Sequence, residues 1–92
     1  MQLQGQVKAI MPVKTKNDFK SVELVLTIDF NSKYPQHVTF QATQNKVDLV
    51  SDLNVGDLIT IEFNLNGREW QNPNTLETKF FNTLSVWKIT KN

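Results

Sequence analysis

The sequence predicts an all-β fold: a five-stranded barrel with one short α-helix between the third and fourth strands. Two observations predict it. Apolar and polar residues alternate through most of the chain, which is the period of half-buried strands. Near residue 47 this period gives way to a helical one. With 92 residues, the chain has the length of one domain, so we expect residues 1–92 to form a single domain.

Three strands are predicted in the first half. The first strand points Leu3, Gly5, Val7, Ala9, Met11 and Val13 inward, with a bend or bulge at Gly5. After a polar connection at residues 14–18, the second strand points Val22, Leu24, Leu26, Ile28 and Phe30 inward. A turn at residues 31–35 contains Pro35, which cannot donate to a central ladder. The third strand then points Val38, Phe40 and Ala42 inward.

The helix is expected to begin near Asn45. Asn45 is a suitable N-cap, and Asp48 three residues later completes a capping box. The buried stripe of this helix consists of Val47, Val50 and Leu53. Gly56 is expected to take a positive φ where the chain leaves the helix.

Two further strands complete the prediction. The fourth points Ile59, Ile61, Phe63 and Leu65 inward and carries a bulge at Gly67. The hairpin tip is expected at residues 72–75, Asn-Pro-Asn-Thr. The last strand contains Phe80, Phe81, Leu84, Val86, Trp87 and Ile89.

This element order, three strands, a helix and two strands, is that of the oligonucleotide/oligosaccharide-binding (OB) fold, a partly open Greek-key barrel. An SH3-like barrel is the main alternative, and the position of the helix argues against it.

The residue types favour a non-enzymatic protein without cofactors. There is no cysteine, and His37, the only histidine, falls on the outward phase of its strand. Neither a nucleophile–base pair nor a clustered metal site is apparent, and the glycines form no phosphate-binding loop. The missing thiols, the N-terminus and the lack of a long apolar run lead us to expect a cytoplasmic protein without membrane association.

A binding site is expected in the two loops that flank the OB ligand face, which join strands 1–2 and 4–5. Single-stranded nucleic acid requires cations for its phosphates and flat side chains on which bases stack. The residues that meet this requirement are Lys14, Lys16, Phe19, Lys20, Arg68, Trp70 and Lys79. Alternatives stay open for the aromatic residues: Phe19 could belong to the core, Trp70 could close the edge of the barrel, and Trp87 is interpreted as structural.

Charge limits this hypothesis. The formal net charge is only +1, and the predicted outer face of strands two and three carries Glu23 and Asp29 but no aromatic residue. Any binding of single-stranded DNA or RNA should therefore be weak and confined to the loops. The second hypothesis is a protein-interaction or assembly module, because a partly open barrel leaves strand edges to cover. We expect a homo-oligomer, with strand one as a candidate edge, and a replication or repair protein is a further candidate partner.

Several segments also resemble a known family. They are Tyr34-Pro35-Gln36-His37, residues 45–50, Val55-Gly56-Asp57, residues 66–70 with Asn72-Pro73, residues 78–82 and Trp87-Lys88-Ile89. Together they resemble a small bacterial family, domain of unknown function 3127, over nearly the whole chain. That family is similar to single-stranded DNA-binding proteins. The resemblance implies an OB fold, and it implies DNA binding by analogy.

Overall fold

The structure, a computed structural model, describes residues 1–29 and 31–92. Its elements are β1 (Gln2–Ile10), β2 (Lys14–Lys16), β3 (Phe19–Ile28), β4 (Gln36–Thr43), a 3-10 turn (Gln44–Lys46), α1 (Val47–Ser51), β5 (Leu58–Gln71) and β6 (Thr78–Lys91). Phe30, predicted to point inward, lies outside the described residues. No helix in the described part is long and apolar enough to cross a membrane.

The strands form one closed sheet in the order β1-β5-β6-β4-β3-β2, and β1 also pairs with β3. One half of β1 pairs with β5 and the other half with β3, both antiparallel. The parallel contact between β4 and β6 joins Gln41 to Ser85. The predicted all-β OB barrel is therefore confirmed. The five predicted strands are β1, β3, β4, β5 and β6.

Strand β2 was not predicted. Residues 14–18 were expected to form a polar connection, but Asn17 and Asp18 take φ values of 50° and 65°. Two consecutive residues with positive φ make a tight turn that suits the twist of a hairpin. As a result Lys16 lies directly opposite Phe19 in the β2–β3 ladder.

The core lies inside the barrel. Its fully buried side chains include Val7, Leu24, Leu26, Phe40, Val50, Ile59 and Ile61. The Phe40 and Phe63 rings pack edge to face with centroids 5.1 Å apart. Val47, Val50 and Leu53 are all buried, which confirms the predicted apolar stripe.

β1 contains a bulge, but the bulge lies after Gly5, the position predicted from the sequence. The β1–β3 register shifts between Val7 and Ala9, so Lys8 is the extra residue of a bulge. An extra residue reverses the alternation of sides. Ile10 accordingly packs against the core, whereas Met11 and Val13, predicted to point inward, are exposed.

Gly5 has a different role from the predicted bulge. A Cβ atom at this position would lie 2.5 Å from the carbonyl oxygen of Thr27. Glycine is therefore needed because β1 passes close to the backbone of β3.

The helical segment begins differently from the prediction. Gln44 takes φ 53°, and a 3-10 turn precedes α1, whose N-cap is Lys46 without a side-chain hydrogen bond. Asn45 is therefore not the cap, and the capping-box prediction was wrong. The positive φ predicted at Gly56 is confirmed at 99°.

Strands β5 and β6 extend beyond the barrel as a two-stranded arm, which we define as residues 65–84. Leu65, predicted to point inward, is 54% exposed because the barrel has ended there. The β5–β6 register is continuous through Gly67 and shifts instead between Glu62 and Phe63, so the predicted bulge at Gly67 was wrong. The hairpin tip is confirmed, with Leu76 N donating to Asn72 O at 2.8 Å.

The arm makes the molecule elongated. The radius of gyration is 14.9 Å, whereas a compact domain of this length would have about 12 Å.

Candidate nucleic-acid interface

The strand ladders place most of the predicted site residues on one continuous surface. Residues directly opposite each other in a ladder project to the same side, and successive residues alternate. Lys16 lies opposite Phe19, Glu23 opposite Gln41, Arg68 opposite Phe81, and Trp70 opposite Lys79. Gln41 pairs in turn with Ser85 of β6. The surface, which we call the ligand face, comprises Lys14, Lys16, Phe19, Glu23, Gln41, Arg68, Trp70, Lys79, Phe81, Thr83 and Ser85.

Lys20 is separated from this group. It lies opposite Thr15, one position after Phe19, and therefore projects to the other side of the β2–β3 hairpin. Its backbone N–H donates to Gln44 Oε1 at 3.3 Å. Of the predicted site residues, Lys20 is the one that the structure places away from the ligand face.

A groove joins the two predicted loops. It has a volume of about 360 Å³, and its lining includes Phe19, Gln41, Arg68, Phe81 and Ser85. Phe19 comes from the β2–β3 hairpin, whereas Arg68 and Phe81 come from the arm. The groove thus brings together aromatic and cationic residues that are far apart in sequence. In its wall, Asn66 Nδ2 donates to Ser85 Oγ at 2.7 Å.

A second depression lies farther along the arm. It has a volume of about 430 Å³ and is lined by Arg68, Glu69, Trp70 and Phe81. The Arg68 guanidinium lies over the Phe81 ring, with Cζ 5.9 Å from the ring centroid. This contact leaves a planar cation beside an exposed indole.

A third depression lies where β4 and β6 diverge from their contact at Gln41 and Ser85. This cleft has a volume of about 600 Å³ and is lined by Glu23, His37, Val38, Thr39, Phe40, Gln41, Leu65, Asn82, Thr83 and Leu84. It shares Gln41 and Thr83 with the groove, and the groove shares Arg68 and Phe81 with the arm depression. The three depressions therefore form one track that runs from His37 to Trp70.

The cations of the ligand face are exposed, and Arg68 also lines the track. Within the described part of the chain, the ion pairs join Lys88 to Glu62 and Lys91 to Asp57, and none involves Lys14, Lys16, Arg68 or Lys79. The β2–β3 hairpin contributes Lys14 and Lys16 to the ligand face, and the arm contributes Arg68 and Lys79, which Glu69 and Glu77 offset in charge. The middle of the ligand face carries Glu23.

The structure also shows where the three aromatic residues with open alternatives lie. Phe19 is 47% exposed and lines the groove, so it is not a core residue. Trp70 is 45% exposed and lies on the arm, away from the barrel edge. Trp87 is the extra residue at the β5–β6 register shift, and its side chain is partly exposed.

Phe81 lines the groove but was not predicted from the sequence as a site residue. It was assigned to the last strand without a binding role. The signal was present in the adjacent pair Phe80-Phe81, because consecutive strand residues face opposite sides and one of the two had to project outward.

His37 is exposed, as predicted. Its Nδ1 lies 2.9 Å from Thr27 Oγ1, which orients the ring at the edge of the cleft. Among the described residues there is no group of three or more His, Asp and Glu side chains that could hold a metal ion.

Comparison with known proteins assigns the family. The model of the family described as domain of unknown function (DUF3127) matches residues 2–90. The chain belongs to this family. No curated protein matches it.

Solved structures similar to this DUF3127 chain share its fold. The mitochondrial single-stranded DNA-binding protein Rim1 of S. cerevisiae has a TM-score of 0.75 at 9% identity, covering 99% of this chain and 91% of its own. A small single-stranded DNA-binding protein from Streptomyces coelicolor has a TM-score of 0.68 at 16% identity, with 100% and 92% coverage. The Plasmodium falciparum SSB in complex with ssDNA has a TM-score of 0.65 at 18% identity, also with 100% and 92% coverage. At these identities the likeness shows the OB fold.

Proposed function

We propose that this DUF3127 protein is a non-enzymatic binding protein for single-stranded nucleic acid, DNA above all, which it holds along the track between the β2–β3 hairpin and the arm. One observation carries the proposal: Phe19, Arg68 and Phe81 line a single groove on the face that OB folds use for oligonucleotides. Trp70 continues this surface along the arm. The fold shared with single-stranded DNA-binding proteins supports it.

The expected binding mode combines stacking with a few phosphate contacts. Trp70, Phe19 and Phe81 offer exposed rings, and stacking one base contributes about 1–3 kcal/mol. Lys14, Lys16, Arg68 and Lys79 are the cations for the phosphates. Because the net charge is only +1, the protein has little long-range attraction for DNA, so we expect weak affinity.

Fluorescence titration tests this proposal. The chain has two tryptophans, so a Trp87→Phe variant leaves Trp70 as the only indole. Adding a short single-stranded oligonucleotide at low salt should quench Trp70. With about three phosphates neutralised, log affinity should fall with log salt at a slope of about −2. Unchanged fluorescence and unchanged electrophoretic mobility at low salt would contradict the proposal.

The alternative function, protein interaction or assembly, is favoured by the other side of the arm. Leu65 and Phe80 are 54% and 75% exposed. Both project to the side of the arm that faces away from Arg68 and Trp70. A contiguous apolar patch on this side of the arm would suit a protein partner. A homo-oligomer remains our prediction, whether through an edge strand or through an exposed sheet face. Sedimentation as a monomer at high micromolar concentration would contradict it.

We further propose that residues 1–92 form one OB domain. Cooperative unfolding in urea, followed in parallel by circular dichroism and fluorescence, should give coincident transitions.

A further inference from the structure

The cleft between β4 and β6 differs chemically from the rest of the track. Glu23, His37, Gln41 and Asn82 supply polar groups to its lining, while Leu65 and Leu84 supply apolar atoms. No lysine or arginine is among its lining residues. A phosphate would therefore meet a carboxylate here without a compensating cation, which disfavours the sugar–phosphate backbone.

These groups suit the edge of a nucleobase. Amide side chains both donate and accept hydrogen bonds, and an ionised carboxylate only accepts. The volume of about 600 Å³ lies within the range of sites that hold small ligands. His37 is held by its contact with Thr27, so its second ring nitrogen can face a ligand.

The cleft is also correctly placed to receive a base from a strand bound on the track. It shares Gln41 and Thr83 with the groove that contains Phe19, Arg68 and Phe81. Glu23 lies directly opposite Gln41 in the β3–β4 ladder. A strand whose phosphates contact Arg68 can therefore turn one base toward Glu23.

From this arrangement we infer that the cleft is a base-reading subsite, in which Glu23 accepts a hydrogen bond from the exocyclic amino group of a nucleobase. This inference rests on the proposed function and extends it to sequence preference. The favoured bases carry an amino group on the edge, as cytosine does at N4, whereas uracil presents a carbonyl oxygen there. A carboxylate opposite that oxygen places two acceptors together and gains no hydrogen bond.

The test compares oligonucleotides of equal length, deoxycytidine against deoxyuridine, by quenching of Trp70 in the Trp87→Phe background. We expect the cytosine strand to bind about fivefold more tightly or better. Glu23→Gln should bring the two affinities within about twofold, because the amide can also donate to a carbonyl oxygen. Glu77→Gln is the matched control: it makes the same change in charge at the arm tip, outside the cleft, and should keep the preference.

The outcomes separate the subsite from the proposed function. If the unsubstituted protein binds both strands equally, or if Glu23→Gln keeps the preference, the subsite inference is overturned while DNA binding stands. If Glu77→Gln abolishes the preference as Glu23→Gln does, the effect is one of general charge and the inference is again overturned. If neither strand quenches Trp70 nor shifts in mobility at low salt, both the proposed function and the subsite fail.

Discussion

The two halves of the β5–β6 hairpin follow the same alternation but have different environments. In the barrel half, Ile59, Ile61 and Phe63 are buried on one side of the ladder. In the arm half the alternation continues, so Leu65 projects to the same side as Phe63. Arg68 and Trp70 project to the other side of the hairpin. Leu84 at the base of the arm packs against the core, but beyond it both sides of the arm carry exposed apolar side chains, among them Phe80 on one side and Phe81 on the other.

Strand alternation therefore determines the side to which a residue projects but not whether that residue is buried. A side is buried only where another layer covers it. The arm therefore stabilises the fold little, and its exposed rings are free to contact a ligand. The barrel half has the opposite properties, and the predictions below separate the two.

The largest expected effect is on stability. Replacing Ile61 with alanine should lower the free energy of unfolding by about 2–5 kcal/mol, because the fully buried side chain leaves a cavity. Leu65→Ala, on the same strand but exposed, should change it by about 0.5 kcal/mol or less. Urea unfolding followed by circular dichroism measures both. Equal losses would show that the arm is packed against the barrel.

The second expected effect is on oligonucleotide binding, and two variants compare the two sides of the arm. Trp70→Ala should weaken oligonucleotide binding by about 1–3 kcal/mol through loss of one stacking contact, and it should leave the salt slope unchanged. Phe80→Ala removes an even more exposed ring from the other side and should leave the affinity within about twofold. Fluorescence anisotropy with a labelled oligonucleotide measures both variants. A larger loss for Phe80 would move the interface to the other side.

A third prediction compares cations of the arm and the barrel. Arg68→Ala should weaken binding and reduce the magnitude of the salt slope by about 0.7, because one phosphate contact is lost. Lys88, in the barrel half and 3.8 Å from Glu62, is the control, and its replacement by alanine should leave the slope unchanged. Titrations at several salt concentrations supply the slopes. Identical slopes for Arg68→Ala and the unsubstituted protein would remove Arg68 from the interface.

The smallest expected effect concerns the β2–β3 hairpin, which contributes Phe19 to the groove. Lys16→Ala should reduce the slope by about 0.7 and spare the quenching of Trp70. Lys20→Ala makes the same change in charge on the opposite side of the hairpin and should leave both the slope and the quenching unchanged. If the two variants behave alike, the ladder register does not decide which lysine meets the phosphates.

Local pattern predicted much of the architecture. The order of elements, most of the buried residues and the hairpin tip at Asn72 follow from periodicity and turn residues. Besides the exposed Met11 and Val13 and the unpredicted β2, the prediction was wrong at three positions: Asn45, Gly67 and Leu65. In the first case the 3-10 turn at Gln44 begins the helical segment earlier. For the other two, nothing local to Gly67 or Leu65 reveals the β5–β6 register or where the barrel ends.

The alternation of residues, the approximate position of the helix, and the charged and aromatic side chains can be read from the sequence alone. The shared groove of Phe19 and Arg68, the separate orientation of Lys20 and the position of Glu23 in a cleft require the three-dimensional arrangement of the strands. The physical reason is the range of each interaction. Periodicity arises from neighbours along one strand, whereas a binding surface depends on register and closure between strands that are distant in the chain.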